Sequence, residues 1–297
     1  MKKRKARTGC DENVNTLLLE DALATLASGE AVVLAGGTDV YPGLQDRPAP
    51  APMLDISRIA ELKGIEKTSD GWKIGAGTSW TELIRADLPA VFDGLKCAAR
   101  QTGSVQIQNA ATVAGNLCNA SPAADGVPPL LALNASLSIA SARGTRLVSL
   151  PGFITAVRQT TLKPDELVTA IVVPEHELNA LSVFHKLGSR SYLVISVAML
   201  AVTVVPDCDG RIRDVRIAVG ACSPVAQRLP ELEAALYDLH LVEDDLSAAL
   251  QPEHLQCLKP IDDVRGSAAY RLEAVQAMIS RSLREVAEKF AEVKRGI

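Results

Sequence analysis

The stretch "AVVLAGGTDVYPGL" (residues 31–44) constrains this chain more than any other. An apolar run over 31–35 reads as a strand and empties into Gly36 and Gly37, followed by Thr38, Asp39, Pro42 and Gly43. Proline and glycine so close behind predict that no helix follows. Glycine lacks a Cβ, so backbone N–H groups can close on an anion and positive φ is open to it. Successive N–H groups in such a turn form a concave anion site without a helix. Taken alone, a glycine turn after a strand is more often a plain turn.

A counterpart stands at "ATVAGNLCNASPAAD" (111–125), where small residues and a threonine again sit on what reads as irregular backbone. Two such loops facing one another would hold a pyrophosphate, with Thr38, Thr112 and Asn116 adding side-chain hydrogen bonds.

Around these loops the pattern is mixed. Residues 17–26 carry Leu19, Leu23 and Leu26 on one helical stripe, with Gly29 where a C-terminal cap belongs. "WKIGAGTSWTELI" reads as a strand, a glycine turn and a helix entered at Ser79, with Glu82 completing a capping box. A helix is expected over 90–101, then a long stretch over 102–129 without regular periodicity but with apolar anchors, which reads as ordered and functional. A short helix over 127–133 precedes two strands that meet as a hairpin at Arg143 and Gly144, and "ELVTAIVVP" is a further strand closed by Pro174.

The second half changes character. "LSVFHKL", "SVAMLAVTVV" and "IRDVRIAVGA" read as an antiparallel meander, and residues 268–293 as a helix behind a Ser267 cap, with Leu272, Val275, Ile279, Leu283, Val286 and Phe290 on its buried face. The fold class is therefore α+β, and 297 residues suit two domains. We divide them as 1–175, with subdomains 1–57 and 58–175, and 176–297.

Composition excludes several functions. No apolar run approaches the roughly 18–20 residues of a membrane span. A net charge of -4 with no basic stripe through the body disfavours nucleic acid. The basic "MKKRKAR" at the start is followed by polar residues and reads as a solvated tail rather than a signal peptide. Cysteines at 10, 97, 118, 208, 222 and 257 form no C-x-x-C pair, which points to a reduced, cytoplasmic chain. Histidines 176, 185, 240 and 254 lack metal-ligand spacing, so no metal site is expected.

In order along the chain, "LAGGTDV", "IGAGTSWTEL", "SVQIQNAATVAGNLCNASPAADGVPPLLALNA", "DELVTAIVVP" and "IDDVRGSAAYR" resemble the flavin-binding medium subunit of the molybdenum hydroxylases, the relatives of xanthine and carbon monoxide dehydrogenase. The resemblance covers nearly the whole chain. It implies a two-subdomain FAD-binding domain of the kind seen in these enzymes and in vanillyl-alcohol-oxidase-like flavoproteins, followed by a smaller α+β domain with an antiparallel sheet. It implies noncovalent FAD, with Ala35, Gly36, Gly37, Thr38, Asp39 and Val40 in the first loop and Thr112, Val113, Ala114, Gly115 and Asn116 in the second. Asp125 matches a carboxylate near the ribityl chain. Val168 matches a backbone group at the isoalloxazine, Lys186 a lysine near the ring, and Tyr192 an aromatic over its face.

The residues also allow plainer roles: Asp125 as a cap for the helix near Val127, and Lys186 and Tyr192 as ordinary strand and loop residues. Two positions depart from the family pattern. Ala114 replaces the usual first glycine of the second loop, which would be strained at positive φ, and Gln108 stands where arginine is common.

The function implied is an electron-transfer subunit of an oxidoreductase. A large molybdopterin partner would oxidise substrate, a small [2Fe-2S] partner would relay electrons to FAD here, and NAD+ or a quinone would accept them, in a dimer of heterotrimers. The alternatives are a self-contained FAD-dependent oxidoreductase with its own substrate site, and a non-enzymatic scaffold that has lost FAD.

Overall fold

In the computed structural model, which describes residues 13–15, 17–29, 31–45, 47–190, 193–242 and 246–296, the chain opens on a small parallel sheet. Strand β1 (Asn13–Asn15), helix α1 (Leu19–Ser28), strand β2 (Val32–Leu34), helix α2 (Val40–Leu44) and strand β3 (Met53–Asp55) follow in order, with β3 between β1 and β2. Helix α1 supplies Ala22 and Leu26 to a core with Leu54, Ile56, Ile59 and Leu62, and Leu19 and Leu23 pack half-buried beside it. The basic start of the chain lies outside the described residues.

One local expectation holds in place and one is corrected here. Gly29 does end α1, but at φ 169° it is extended backbone that any residue adopts, not the left-handed cap that needs glycine. Helix α2 does follow the glycine turn. Pro42 is its third residue, where a missing N–H costs nothing because first-turn N–H groups have no intrahelical partner.

The second sheet has the order β4-β5-β10-β6-β7, all antiparallel. It is built from β4 (Ile65–Thr68) and β5 (Gly71–Gly75), then, after the helices, β6 (Ser136–Ser141) and β7 (Gly144–Ser149), which form the expected hairpin. Between β5 and β6 lie α3 (Trp80–Arg85), α4 (Asp93–Gln101), α5 (Val105–Ala110), α6 (Val113–Asn119) and α7 (Val127–Ala132). The Ser79–Glu82 capping box forms as read from the sequence. The stretch expected to be without periodicity contains α5 and α6. At six and seven residues each is under two turns, too short for its apolar spacing to stand out.

After α8 (Leu150–Phe153) and the two-stranded β8 (Ile154–Ala156) and β9 (Gln159–Thr160), strand β10 (Leu167–Pro174) takes the centre of this sheet. Its register slips between Val168 and Ala170, and the Thr169 carbonyl turns to accept from Ala76 N–H at 2.9 Å. Such a bulge bends a strand and re-aims its side chains. Leu167, just before it, joins the core of the first sheet, so β10 ties the two sheets together.

A third sheet, β11 (Leu181–Leu187), β12 (Ala198–Pro206), β13 (Ile212–Gly220) and β14 (Gln227–Arg228), is the expected antiparallel meander. Every residue of β12 is buried. Side chains alternate faces along a strand, so a strand covered on both sides reads as a continuous apolar run. Met199, Ala201 and Val205 join the core of the second sheet, while Ala198, Leu200, Val202 and Val204 pack under α9 (Pro230–Leu236) and α10 (Ala268–Arg295). Helix α10 starts at the expected Ser267 cap, whose hydroxyl accepts from Tyr270 N–H, and buries Val275, Ile279, Leu283, Val286 and Phe290.

Candidate functional site

A cavity of ≈ 320 Å3 opens between the first and second sheets. Its size falls within the roughly 300–1,000 Å3 of small-molecule and cofactor sites. One wall is the turn after β2, with Ala35, Gly36, Gly37, Thr38, Asp39 and Val40 all lining it. The opposite wall is the start of α6, with Thr112, Ala114, Gly115 and Asn116. Val168, at the bulge of β10, adds to the apolar part of the lining together with Val33, Ile56, Leu162 and Leu167.

The two glycines of the turn do different work. A Cβ on Gly36 would overlap the Ala110 carbonyl oxygen and sit 2.9 Å from Ala111 Cα, so this residue lets the two walls touch backbone to backbone. Gly37 is the one at positive φ, +69°, and the Tyr41 ring lies 2.6 Å from where its Cβ would be. Among the described residues, the backbone N–H groups of Gly37, Thr38 and Asp39 donate to no protein acceptor. That is the donor set an oxyanion requires.

The second wall is a helix start, not the irregular loop expected. Thr112 is the N-cap of α6, and its Oγ1 accepts from Gly115 N–H at 3.0 Å while Val113 N–H donates to the Thr78 carbonyl. The N–H of Ala114 is left without a protein acceptor among the described residues, and the Thr112 hydroxyl keeps its own proton to donate. Ala114 lies in helical backbone, outside the residues at positive φ, so alanine in place of glycine carries no strain there. The Val113 side chain points into the protein core. Gln108 is buried in α5 and donates to the Arg100 carbonyl at 3.0 Å.

Polar side chains tie the walls together. Asn119 Nδ2 donates to Asp39 Oδ1 at 3.0 Å, and Arg158 Nη1 donates to Asn119 Oδ1 at 2.5 Å. Asn116 Oδ1 accepts from Gly126 N–H at 3.2 Å, leaving its amide N–H groups to donate. Cys118 is open to the cavity, yet the protein crowded around it desolvates the thiol and pushes its pKa up to about 12, so it is un-ionised at neutral pH.

Asp125 and Lys186 do not line the cavity; they meet directly behind its wall. Lys186 Nζ donates to Asp125 Oδ2 at 2.6 Å and to the Gln101 carbonyl at 3.3 Å, beside the cavity residue Thr102. Both side chains are under a tenth exposed. Burial raises the Asp125 pKa above the ordinary aspartate value, against the lowering effects of Lys186 and Ser196. The capping role for Asp125 is not realised: the N-cap of α7 is Gly126, with no side-chain cap. Tyr192 lies outside the described residues.

Sequence reading missed Val33, Ile56, Trp80, Ile107, Cys118, Asn119, Leu162 and Leu167 in the lining. Cys118 and Asn119 sit within the quoted second segment and were findable there. The others are apolar residues from separate elements that only folding gathers. No group of three or more His, Cys, Asp or Glu among the described residues is arranged to hold a metal, and no helix among them is long and apolar enough to cross a membrane.

Residues 14–176 match the family model of the FAD binding domain in molybdopterin dehydrogenase, and residues 184–286 that of the CO dehydrogenase flavoprotein C-terminal domain. A xanthine dehydrogenase FAD-binding subunit of Escherichia coli O157:H7 is 33% identical over 274 residues, covering 90% of this chain and 92% of that protein. The glyceraldehyde dehydrogenase medium chain of Sulfolobus acidocaldarius is 32% identical, covering 91% and 95%. Among solved structures, a chain of the carbon monoxide dehydrogenase from Hydrogenophaga pseudoflava, in a form lacking the Mo-pyranopterin moiety of its cofactor, matches with a TM-score of 0.84 at 28% identity, over 94% of this chain and 97% of that one.

Proposed function

We propose a function from one premise: the chain belongs to the family of FAD-binding subunits of the molybdenum hydroxylases, and it carries their FAD-binding domain. It is thus an oxidoreductase subunit. We propose that it receives electrons from iron–sulfur clusters of a small partner, themselves fed by a molybdopterin centre in a large partner, and delivers them to a separate acceptor such as NAD+ or a quinone. The names of relatives as "subunit" and "medium chain" support a role inside a larger assembly.

The observation that carries the reading is the backbone contact of Gly36 with Ala110, which brings two sets of unpaired N–H groups to one cavity. In this reading the diphosphate is held by the N–H groups of Gly37, Thr38 and Asp39 on one side and by Ala114 N–H and the Thr112 hydroxyl on the other. In the same reading the apolar lining at Val33, Leu167 and Val168 takes the isoalloxazine ring. Flavin suits such a relay because it exchanges electrons singly or in pairs; the protein's part is to bind and orient it. We assign FAD binding to residues 1–175, in subdomains 1–57 and 58–175, and the remainder to a second domain.

The cavity lining favours relay over independent catalysis. Its titratable side chains are Asp39, already accepting from Asn119, and Cys118, a thiol held un-ionised. That thiol is a poor general base near neutral pH.

Anaerobic flavin bleaching tests the proposal. The purified chain with FAD should not be bleached by purines, aldehydes or aromatic heterocycles. With the iron–sulfur partner it should exchange electrons, and with the molybdenum partner added it should be bleached by the substrate of the complex. Bleaching of the chain alone at a catalytically competent rate would make it a self-contained oxidoreductase.

A further inference from the structure

We infer that Asn119 is a positioning residue for the cofactor: it ties Asp39 to the end of α6, so that the first loop keeps the shape in which it lines the cavity, and Arg158 sets the direction of its amide. This rests on the FAD reading above.

Asp39 and Asn119 both line the cavity, one on each wall, and Asn119 Nδ2 donates to Asp39 Oδ1 at 3.0 Å. The walls therefore meet at the backbone contact of Gly36 with Ala110 and again at this side-chain bond. From the first anchor to the second run Gly37, Thr38 and Asp39, whose N–H groups donate to no protein acceptor among the described residues. A loop that wanders from its binding shape binds more weakly by the fraction of time it spends elsewhere, and a second anchor removes that loss.

The local sequence explains why Asp39 is available. It is the N-cap of α2, where a carboxylate commonly accepts from the N–H of the second or third helical residue. Here the second, Tyr41, already donates to the Gly37 carbonyl at 3.1 Å, and the third, Pro42, has no N–H. Helix α2 accordingly has no side-chain cap, and the carboxylate reaches to Asn119 instead.

Asn119 is the last residue of α6, and its amide lies between two opposite charges. Arg158 Nη1, a donor only, takes Oδ1 at 2.5 Å, which leaves Nδ2 for the carboxylate, an acceptor only. The reverse orientation would satisfy neither. Arg158 does not line the cavity itself. It stands in the turn between β8 and β9, where its backbone N–H also donates to the Ala120 carbonyl at 2.9 Å, so this turn grips the end of α6 at two points. Among the described residues its guanidinium donates to Asn119 alone.

FAD titration of the full-length apoprotein tests the role. Asn119→Ala should weaken FAD binding about fivefold, the effect of one hydrogen bond to a charged group that solvent partly replaces. Asn119→Asp, nearly the same size but setting a second carboxylate against Asp39, should weaken it at least as much. Arg158→Ala takes nothing from the lining and should still weaken binding, by about threefold, because the amide loses its direction. Asp39 and Arg158 are exposed and Asn119 is half-buried, so the unfolding midpoint of the apoprotein should hardly move in any of these variants, which separates the role from general stability. In an Asp39→Ala background, where the bond is already gone, Asn119→Ala should change nothing further. Wild-type affinity in Asn119→Ala or Arg158→Ala overturns the inference, as does an undiminished Asn119→Ala effect in the Asp39→Ala background, which would make Asn119 a direct ligand of the cofactor. Failure of the wild-type chain to bind FAD removes the FAD reading and this role with it, whereas tight wild-type binding beside a silent Asn119→Ala removes this role alone.

Discussion

Gly36 abuts Ala110 so closely that a Cβ on the glycine would overlap the Ala110 carbonyl oxygen and lie 2.5 Å from its carbon. The turn after β2 and the segment before α6 thereby share a backbone wall. The glycine that matters for steric approach is thus distinct from Gly37, which matters for its φ of +69°.

Gly36→Ala should by itself lose most of the bound FAD, because one methyl must push the two walls apart. Gly29→Ala has nothing within 4 Å and extended backbone, so it should keep full FAD and change stability by no more than about 0.5 kcal/mol. The ratio of flavin absorbance to protein, read beside thermal unfolding, checks both. Normal FAD content in Gly36→Ala would mean that the wall contact is not needed for binding.

Thr112 both caps α6 and faces the cavity. Thr112→Ala should cost about 1 kcal/mol of stability through the lost bond to Gly115 N–H and should also weaken FAD binding, whereas Thr112→Ser should retain both. Chemical denaturation with and without FAD separates the two effects. An alanine variant that loses stability but binds FAD as before would confine Thr112 to capping.

FAD should be bound without a covalent link. Cys118, the one cysteine of the cavity lining among the described residues, has its thiol pKa pushed up to about 12 and is a poor nucleophile at neutral pH. Acid precipitation should leave the yellow chromophore in the supernatant, and Cys118→Ser should keep its flavin. Colour remaining in the washed precipitate would refute this.

Glu166, just before β10, accepts from Arg146 Nε at 2.9 Å and Arg146 Nη2 at 2.7 Å, and from Lys163 N–H at 2.9 Å. The carboxylate is hidden beneath the arginine but shallow, and these bonds, the arginine's first, hold its pKa at about 2 instead of 4.5. A lowered folded-state pKa contributes stability above the unfolded value that is lost as pH falls through the folded one. Stability should therefore decline between about pH 4.5 and 2 in the wild type, and this part of the decline should vanish in Glu166→Gln. At neutral pH the variant should be less stable by roughly 1–2 kcal/mol, a charged hydrogen bond discounted for the half-exposed arginine. Denaturation midpoints across that range check it; parallel curves for the two proteins would remove Glu166 from the acid response.

What this chain's sequence determined by itself was whatever depends on neighbours along the backbone. The Ser79–Glu82 box, the hairpin at Arg143–Gly144, the meander from Leu181 to Gly220 and the buried stripe of α10 were legible because capping, turn chemistry and side-chain periodicity act over a few residues. The two glycine segments were visible as a matched pair, and family resemblance named the cofactor they would hold. Short helices escaped the pattern: α2, α5 and α6 have too few turns to show a period, so the second segment looked like loop and Ala114 looked strained. Tertiary structure alone decided that Gly36 meets Ala110, that the bulge in β10 turns Val168 to the cavity, and that Lys186 and Ser196 converge on Asp125 from another half of the chain. Those contacts join residues tens of positions apart, and only burial of the three cores brings them within hydrogen-bonding distance.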